Sequence, residues 1–256
     1  MLRVCVLGSG SSGNSVFIGG EEGGLLLDAG FSLKDIKQRL HHAGINPLLI
    51  KGVVLSHEHT DHSKGAGVVC RALKIPLFAN RGTHAAIQPF LGKVPEVVYF
   101  SHGDKIDVGG VEAGPFSIPH DAADPCGFVF RLNGASAAVV TDLGAPNMLV
   151  EDKLKNVDCV VLESNHDIEM LKAGPYPWAL KQRIASRTGH LSNEACGELL
   201  AKIRRASLQR VILAHLSKVN NNPALARQMG EETLGGHGIP FEVAGQDTPL
   251  PPVIIE

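Results

Sequence analysis

Residues 51–65 read KGVVLSHEHTDHSKG, and this stretch sets both the fold and the chemistry. Val53-Val54-Leu55 is a short, β-branched, apolar run, which predicts a buried strand that stops at Ser56. Beyond the stop, His57, His59, Asp61 and His62 put three imidazoles and a carboxylate within six residues. In extended backbone His57 and His59 point to the same side, while Asp61 and His62, past the turn, reach a second point nearby. One segment can therefore feed two metal ions. Imidazole nitrogen with carboxylate oxygen and no thiolate suits Zn(II), Mn(II) or Fe(II) at a site left open for chemistry. A lone histidine beside a strand is commonly a surface or core residue, but a strand followed by His-x-His-x-Asp-His is a far more specific pattern.

Towards the amino terminus, Leu2 to Leu7 predicts a first buried strand, followed by Gly8-Ser9-Gly10-Ser11-Ser12-Gly13-Asn14-Ser15. The run matches the G-x-G-x-x-G dinucleotide fingerprint, which needs a helix to open at the glycines so that its amino end faces a pyrophosphate. Here Ser15-Val16-Phe17-Ile18 resumes a strand pattern, so a polar hairpin loop is preferred. Ser12 and Asn14 are then candidate substrate contacts, beside backbone NH groups able to meet a phosphate. Leu25-Leu26-Leu27 predicts a strand that delivers Asp28, either an ordinary turn residue or a carboxylate that orients a ligand histidine. Ser32 can cap a helix from Leu33 to Ala43, with Leu33, Ile36 and Leu40 on one stripe.

Towards the carboxyl terminus, helical and strand patterns alternate as in a layered α/β domain. Helices are expected over residues 67–74, 81–90, 192–205 and 223–234, and strands over 76–79, 97–100, 105–108, 111–118, 127–132, 135–141, 158–162, 210–214 and near 241–243. A proline-rich tail, Thr248 to Pro252, reads as extended. Several strands end in polar clusters: His120-Asp121 after 111–118, Asp142 after 135–141, Glu163 and His166 after 158–162, and His215 with Ser217 after 210–214. Lys181, Arg183 and Arg187 form a basic stretch that is either a solvated helix face or a nucleic-acid track. His190 falls in a loop just before a helix start, where the positive amino end favours phosphate.

A chain of 256 residues, 44% hydrophobic and 20% charged, has the composition of a globular protein. No apolar run approaches the roughly 18 residues that span a bilayer, and no basic region with an apolar core opens the chain, so a cytoplasmic protein without membrane contact is expected. Five widely spaced cysteines in mostly apolar runs, without a C-x-x-C pair, read as reduced packing residues. A net charge of -2 neither advertises nor excludes a polyanionic partner.

The metal segment resembles the signature of the metallo-β-lactamase fold superfamily, in its hydrolase form: flavodiiron members carry Glu at the second position, where His59 stands here. GSGSSGNS, HDAADP, ESNHD and GHLSN further resemble YycJ/WalJ-type proteins over nearly the whole chain. The resemblance implies one domain over residues 1–256, a four-layer αββα sandwich of two sheets between outer helices, with the site at one edge. It implies that His120 joins His57 and His59, that His215 joins Asp61 and His62, and that Asp142, whose two oxygens can bridge, links two cations. Asp28 and Glu163 are expected as orienting carboxylates. Asp61, His190 and His166 are candidate catalytic groups, with His190 and His166 competing for the role of general acid, and Ser217 is a further candidate substrate contact.

Two divalent metals, Zn or Mn with Fe also compatible, about 3.5–4 Å apart, would supply hydroxide at neutral pH. The closer resemblance implies a phosphodiesterase, specifically a nuclease with DNA favoured over RNA and exonuclease action. Hydrolysis of a small carbonyl compound or a cyclic phosphodiester is the competing reading. A persulfide dioxygenase would need mononuclear iron, a glyoxalase-type thioesterase would need more chain after His215, and a non-enzymatic binding module would not leave its sites open.

Overall fold

The computed structural model describes residues 1–205 and 207–256. Its first sheet is built from β1 (Leu2–Gly8), β2 (Ser15–Gly19), β3 (Gly24–Leu27), β4 (Ile50–Val54), β5 (Leu77–Ala79) and β6 (Val97–Tyr99). The second sheet follows in the chain: β7 (Ile106–Val108), β8 (Val111–Ser117), β9 (Cys126–Leu132), β10 (Ala135–Val140), β11 (Cys159–Glu163), β12 (Arg210–Ala214) and β13 (Phe241–Val243). A last strand, β14 (Val253–Ile255), returns to the first sheet beside β1. Among the described residues each sheet thus has seven strands, in the orders β14-β1-β2-β3-β4-β5-β6 and β13-β12-β11-β10-β9-β8-β7.

Alternation along the strands explains the layers. Val4 and Val6 of β1 point into the space between the sheets, where they meet Phe128, Phe130, Ile212 and Ala214. Cys5 and Leu7 of the same strand point outward, onto Ile36 and Leu40 of helix Leu33–His42 and Val69 of helix Ala66–Leu73. On the second sheet, Val211 and Leu213 face outward onto Leu199 and Leu200 of helix Asn193–Ile203 and Leu234 of helix Pro223–Leu234. Both faces of both sheets are therefore covered, which is why the strands read as continuous apolar runs. The result is the expected four-layer α/β sandwich. Complete burial of a side chain such as Phe128 contributes about 1.5–3 kcal/mol.

The expected elements appear with small shifts at their ends. Ser32 caps its helix by accepting from Asp35 N, and Ser192 caps the helix Asn193–Ile203 by accepting from Ala195 N. The Gly8 to Ser15 run is a hairpin loop between antiparallel β1 and β2, with no helix opening at its glycines. The carboxyl terminus differs from expectation: Thr248 to Pro252 carries no regular structure, but Val253–Ile255 beyond it pairs with β1. Three residues are too short for a period to be read, and only the neighbouring strand makes them one. Helices Thr60–Ser63, Met148–Leu154 and Ile168–Ala173 were likewise not expected, while Trp178–Ile184 places Lys181 and Arg183 on a helix, one of the two readings of the basic stretch. Among the described residues, no helix is long and apolar enough to cross a membrane, and all five cysteines are buried and unpaired.

β3 runs parallel to β4, and β10, β11 and β12 run parallel to one another. Their carboxyl ends therefore open at one edge of the sandwich.

Candidate metal centre

That edge carries the site residues. β3 ends into Asp28, β4 into Ser56 and His57, β10 into Asp142, β11 in Glu163 and β12 into His215. Asp28, Asp142 and His215 adopt left-handed backbone, with φ of 62°, 56° and 56°. Such a conformation costs about 1–3 kcal/mol at most residues other than glycine, and Asp and His tolerate it better than most.

Two sets of donors come together. His57, His59 and His120 bring ligand atoms within 4.8 Å of one another, and so do Asp61, His62 and His215. Asp142 lies between the sets: its Oδ2 is 3.0 Å from His62 Nε2, and its Oδ1 is 3.8 Å from His120 Nε2.

Most of the imidazoles are aimed from behind. Asp28 Oδ2 accepts from His62 Nδ1 at 2.7 Å, and Glu163 Oε1 accepts from His215 Nδ1 at 2.7 Å. The Gly189 carbonyl lies 3.1 Å from His120 Nδ1, and Ser56 Oγ, which donates to Asp28, lies 2.9 Å from His57 Nδ1. Each contact engages Nδ1 and leaves Nε2 to the centre, the arrangement by which orienting groups fix tautomer and ring direction. The loops are locked as well. Asn14 N donates to Asp61 O and Gly30 N to Asn14 O, an approach so close that a Cβ on Gly30 would lie 1.6 Å from Asp61 O.

Buried Nε2 of His57, Nε2 of His215 and Oδ2 of Asp142 have no hydrogen-bond partner. Buried polar atoms are rarely left so, and imidazole nitrogens with carboxylate oxygens form a donor set that fits divalent metal ions. The protonation pattern agrees. Burial, reinforced by the charge of His62, holds His57 well below the usual imidazole range and hence neutral. Against burial, Asp142 and Asp28 raise His62 well above that range, and the carboxylates of Asp142, Asp61 and Glu163 raise His215 to about 10. Asp142 is pushed up by burial but held well below the usual carboxylate range by His215 and His62. Positive charge on these rings stands where cations would replace it.

Glu163 is fully buried and uses both oxygens: Oε1 accepts from His190 Nδ1 at 2.8 Å as well as from His215, and Oε2 accepts from the backbone of Leu143 and Leu191. His190 joins the same cluster and lines a pocket of about 240 Å³ over the donors, shared with His59, Asp61, Asp142 and His215. The Glu163 charge and hydrogen bond raise the His190 pKa, although burial opposes them. His166 is not in that pocket; it lines an adjoining cavity.

The expected substrate contacts divide. Ser217 lines the pocket. Ser12 does not: its NH donates to Gln246 Oε1 and its carbonyl accepts from Lys64, and Ser11 takes the place at the wall. Asn14 is buried, 3% exposed, with Nδ2 at 2.9 Å from His62 Nε2 and 3.2 Å from Asp61 Oδ2, so it braces ligands and loop and does not face substrate. The basic stretch belongs to helix Trp178–Ile184 and the loop after it: Arg183 lines the pocket paired with Asp121, while Lys181 Nζ donates to Lys172 O. Sequence reading missed Asn165, Tyr176, Leu180, Ile184 and Gly189 in the pocket's wall, and Ser56 behind His57. The glycine of Gly-His-Leu-Ser-Asn was the one available signal for Gly189, where an added Cβ would lie 2.1 Å from Ile184 O.

A family profile described as β-lactamase superfamily domain matches residues 24–216. The chain is 38% identical over 256 residues to a Bacillus anthracis protein named exodeoxyribonuclease YycJ, covering 98% of this chain and 97% of that one. It is 35% identical over 260 residues to exodeoxyribonuclease WalJ of Streptococcus pneumoniae, covering 97% and 96%. Among solved structures, the metallo-β-lactamase fold protein YhfI of Bacillus subtilis superposes with a TM-score of 0.75 at 15% identity, covering 98% of this chain and 99% of that one. Zn(2+)-bound PqqB of Methylobacterium extorquens gives 0.74 at 18% identity, covering 97% and 99%.

Proposed function

The chain belongs to the β-lactamase superfamily of domains, and from that premise we propose that it is a metal-dependent nuclease that hydrolyses phosphodiester bonds of DNA, working from an end. The observation that carries the reading is the pair of histidine sets aimed by Nδ1 contacts at one carboxylate, Asp142, with a further histidine, His190, held beside them. The names of the full-length relatives in Bacillus anthracis and Streptococcus pneumoniae support DNA as the substrate and exonuclease action.

In this reading His57, His59 and His120 hold one divalent ion, Asp61, His62 and His215 hold a second, and Asp142 contributes to both. The donors suit Zn or Mn, with Fe also compatible. When bound, such ions supply Lewis-acid charge for phosphoryl oxygens and lower the pKa of water to about 7. Asp28, Ser56, Gly189 and Glu163 keep the imidazoles in place, so little reorganisation is needed as charge develops. Asp61 borders the pocket with a partly exposed carboxylate and is the group that takes a proton from the attacking water. His190 gives one to the leaving oxygen. Its Nδ1 is engaged by Glu163, which leaves Nε2 for substrate, and the Glu163 charge and hydrogen bond shift it towards the protonated form. His166 stands outside the pocket, which favours His190 for this role. Ser11, Ser217 and Arg183 at the wall are the contacts offered to phosphate. Five unpaired buried cysteines fit a reducing cytoplasm.

The test is to incubate metal-loaded protein with end-labelled single- and double-stranded DNA, with RNA, and with β-lactam, lactone and thioester substrates. Stepwise shortening of DNA from a terminus is expected. Efficient hydrolysis of the carbonyl substrates with both nucleic acids intact would overturn the assignment. His190→Ala is expected to retain metal and fold while losing at least about tenfold in turnover, less on a nitrophenyl phosphodiester whose leaving group needs no proton.

A further inference from the structure

A second cavity, of about 340 Å³, adjoins the metal pocket, and His190 stands in the wall of both. Its other walls are mainly apolar: Pro146 after β10, Ile168 and Leu171 from helix Ile168–Ala173, and Ala195 from helix Asn193–Ile203. Lys172, Ser186, Arg187 and Ser192 add polar groups to the wall, and so does His166. This imidazole is only 3% exposed, and its Nδ1 has no hydrogen-bond partner. A buried ring nitrogen left unpaired is destabilising unless a ligand satisfies the ring.

The backbone that carries His166 is fixed on every side. Asn193 N donates to His166 O at 2.8 Å, Asn165 N to Leu191 O at 2.8 Å and Asp167 N to Asn220 O at 2.9 Å. Asn221 Nδ2 donates to the carbonyls of Ser164 and Asn165 at 2.9 and 3.0 Å. The fold thus holds rigidly an imidazole that it does not itself satisfy, as a preorganised contact requires.

The geometry points to this cavity as the seat of a nucleobase, the one carried by the nucleotide whose phosphate lies at His190, with His166 hydrogen-bonding the edge of the base. A base has apolar faces and a polar rim, which matches walls that are mainly apolar and carry a few polar groups, His166 among them. It is also one sugar away from its phosphate, so with phosphate in the metal pocket the base must enter adjoining space. The identity of the ligand rests on the nuclease reading. His166 then selects substrate by contact with it and has no part in proton transfer.

The experiment compares binding of deoxynucleoside monophosphates, 5′ and 3′, with binding of the corresponding deoxyribose phosphates to metal-loaded protein by titration calorimetry. The ligands differ in the base and in the anomeric hydroxyl that stands in its place. The nucleotide is expected to bind at least about tenfold more tightly, and that preference is expected to shrink to about twofold or less in His166→Ala and in Ile168→Trp, which fills the cavity and leaves His166 in place. If His166→Ala fails to fold, Ile168→Trp decides alone. Equal affinities in the parent protein, or a preference that survives both substitutions, would overturn the assignment. DNA cleavage measured on the same preparations separates the two readings. A protein that shows the base preference but cleaves no DNA retires the nuclease reading and supports the cavity; one that cleaves DNA without any base preference removes the cavity alone.

Discussion

Replacing Glu163 by Gln removes one charge and alters no volume, at the point where both halves of the site are held. Four donors converge on its two oxygens: His190 Nδ1, His215 Nδ1, and the NH groups of Leu143 and Leu191. An amide has one acceptor oxygen and a nitrogen that must donate, so in either orientation two of these donors lose their partner. Each unmade buried hydrogen bond costs about 1–3 kcal/mol, giving a total of about 2–6 kcal/mol divided between stability and the orientation of the two rings. The share that falls on His215 should weaken metal binding by about 10–100-fold, as loss of an orienting partner does elsewhere. The share that falls on His190 should lower turnover even at saturating metal. Competition of the loaded protein against a chromogenic chelator reads the first, and single-turnover rates read the second. Metal affinity and turnover both equal to those of the parent would refute the argument that Glu163 holds the site.

Gly30→Ala should displace the Asp61 loop, since the added Cβ would meet Asp61 O at 1.6 Å; a loss of about 1–3 kcal/mol or more in urea unfolding, with reduced metal content, is expected. Thiol reagents should leave the folded protein unlabelled and react only on unfolding, because burial pushes Cys5, Cys70, Cys126 and Cys159 up to about 12. In the metal-free protein, hydrogen bonds and charge from His190 and His215 hold Glu163 down to about 2 from 4.5 against burial, and Asp142 raises His215 to about 10 from 6.5 against burial. The Glu163 contribution is complete above pH 4.5 and lost as pH falls towards 2, while the His215 contribution is complete below pH 6.5 and lost as pH rises towards 10. Buried His57 and His120, with lowered pKa values, instead lose stability as pH falls below 6.5, so the melting temperature of the metal-free protein should fall on acidification towards pH 2 and also as pH rises from 6.5 towards 10; no fall over the alkaline range would contradict the His215 contacts.

His57, His59, Asp61 and His62 were legible because one strand and one turn supply all four, so local sequence carries the pattern. His120, Asp142 and His215 are single residues at the ends of distant strands, and only the family resemblance singled them out. What could not be read depends on pairs far apart in the chain. Asn14 looked like a loop residue open to substrate, but it reaches His62, 48 positions away, and is buried by that contact. The left-handed backbone at Asp28, Asp142 and His215 is one that Asp and His tolerate better than most residues, but no local pattern announces it. β14 and helix Trp178–Ile184 are short pieces stabilised by what they pack against, one closing a sheet edge and the other walling the pocket.

The central claim is a centre built for two metal ions from His57, His59, His120, Asp61, His62 and His215 around Asp142. Elemental analysis of gently purified, metal-saturated protein tests it most directly, on the parent and on His59→Ala and His215→Ala. The account predicts close to two divalent ions per chain in the parent and about one after either substitution. A parent saturated at one ion per chain, unchanged by substitution at Asp61, His62 or His215, would contradict it.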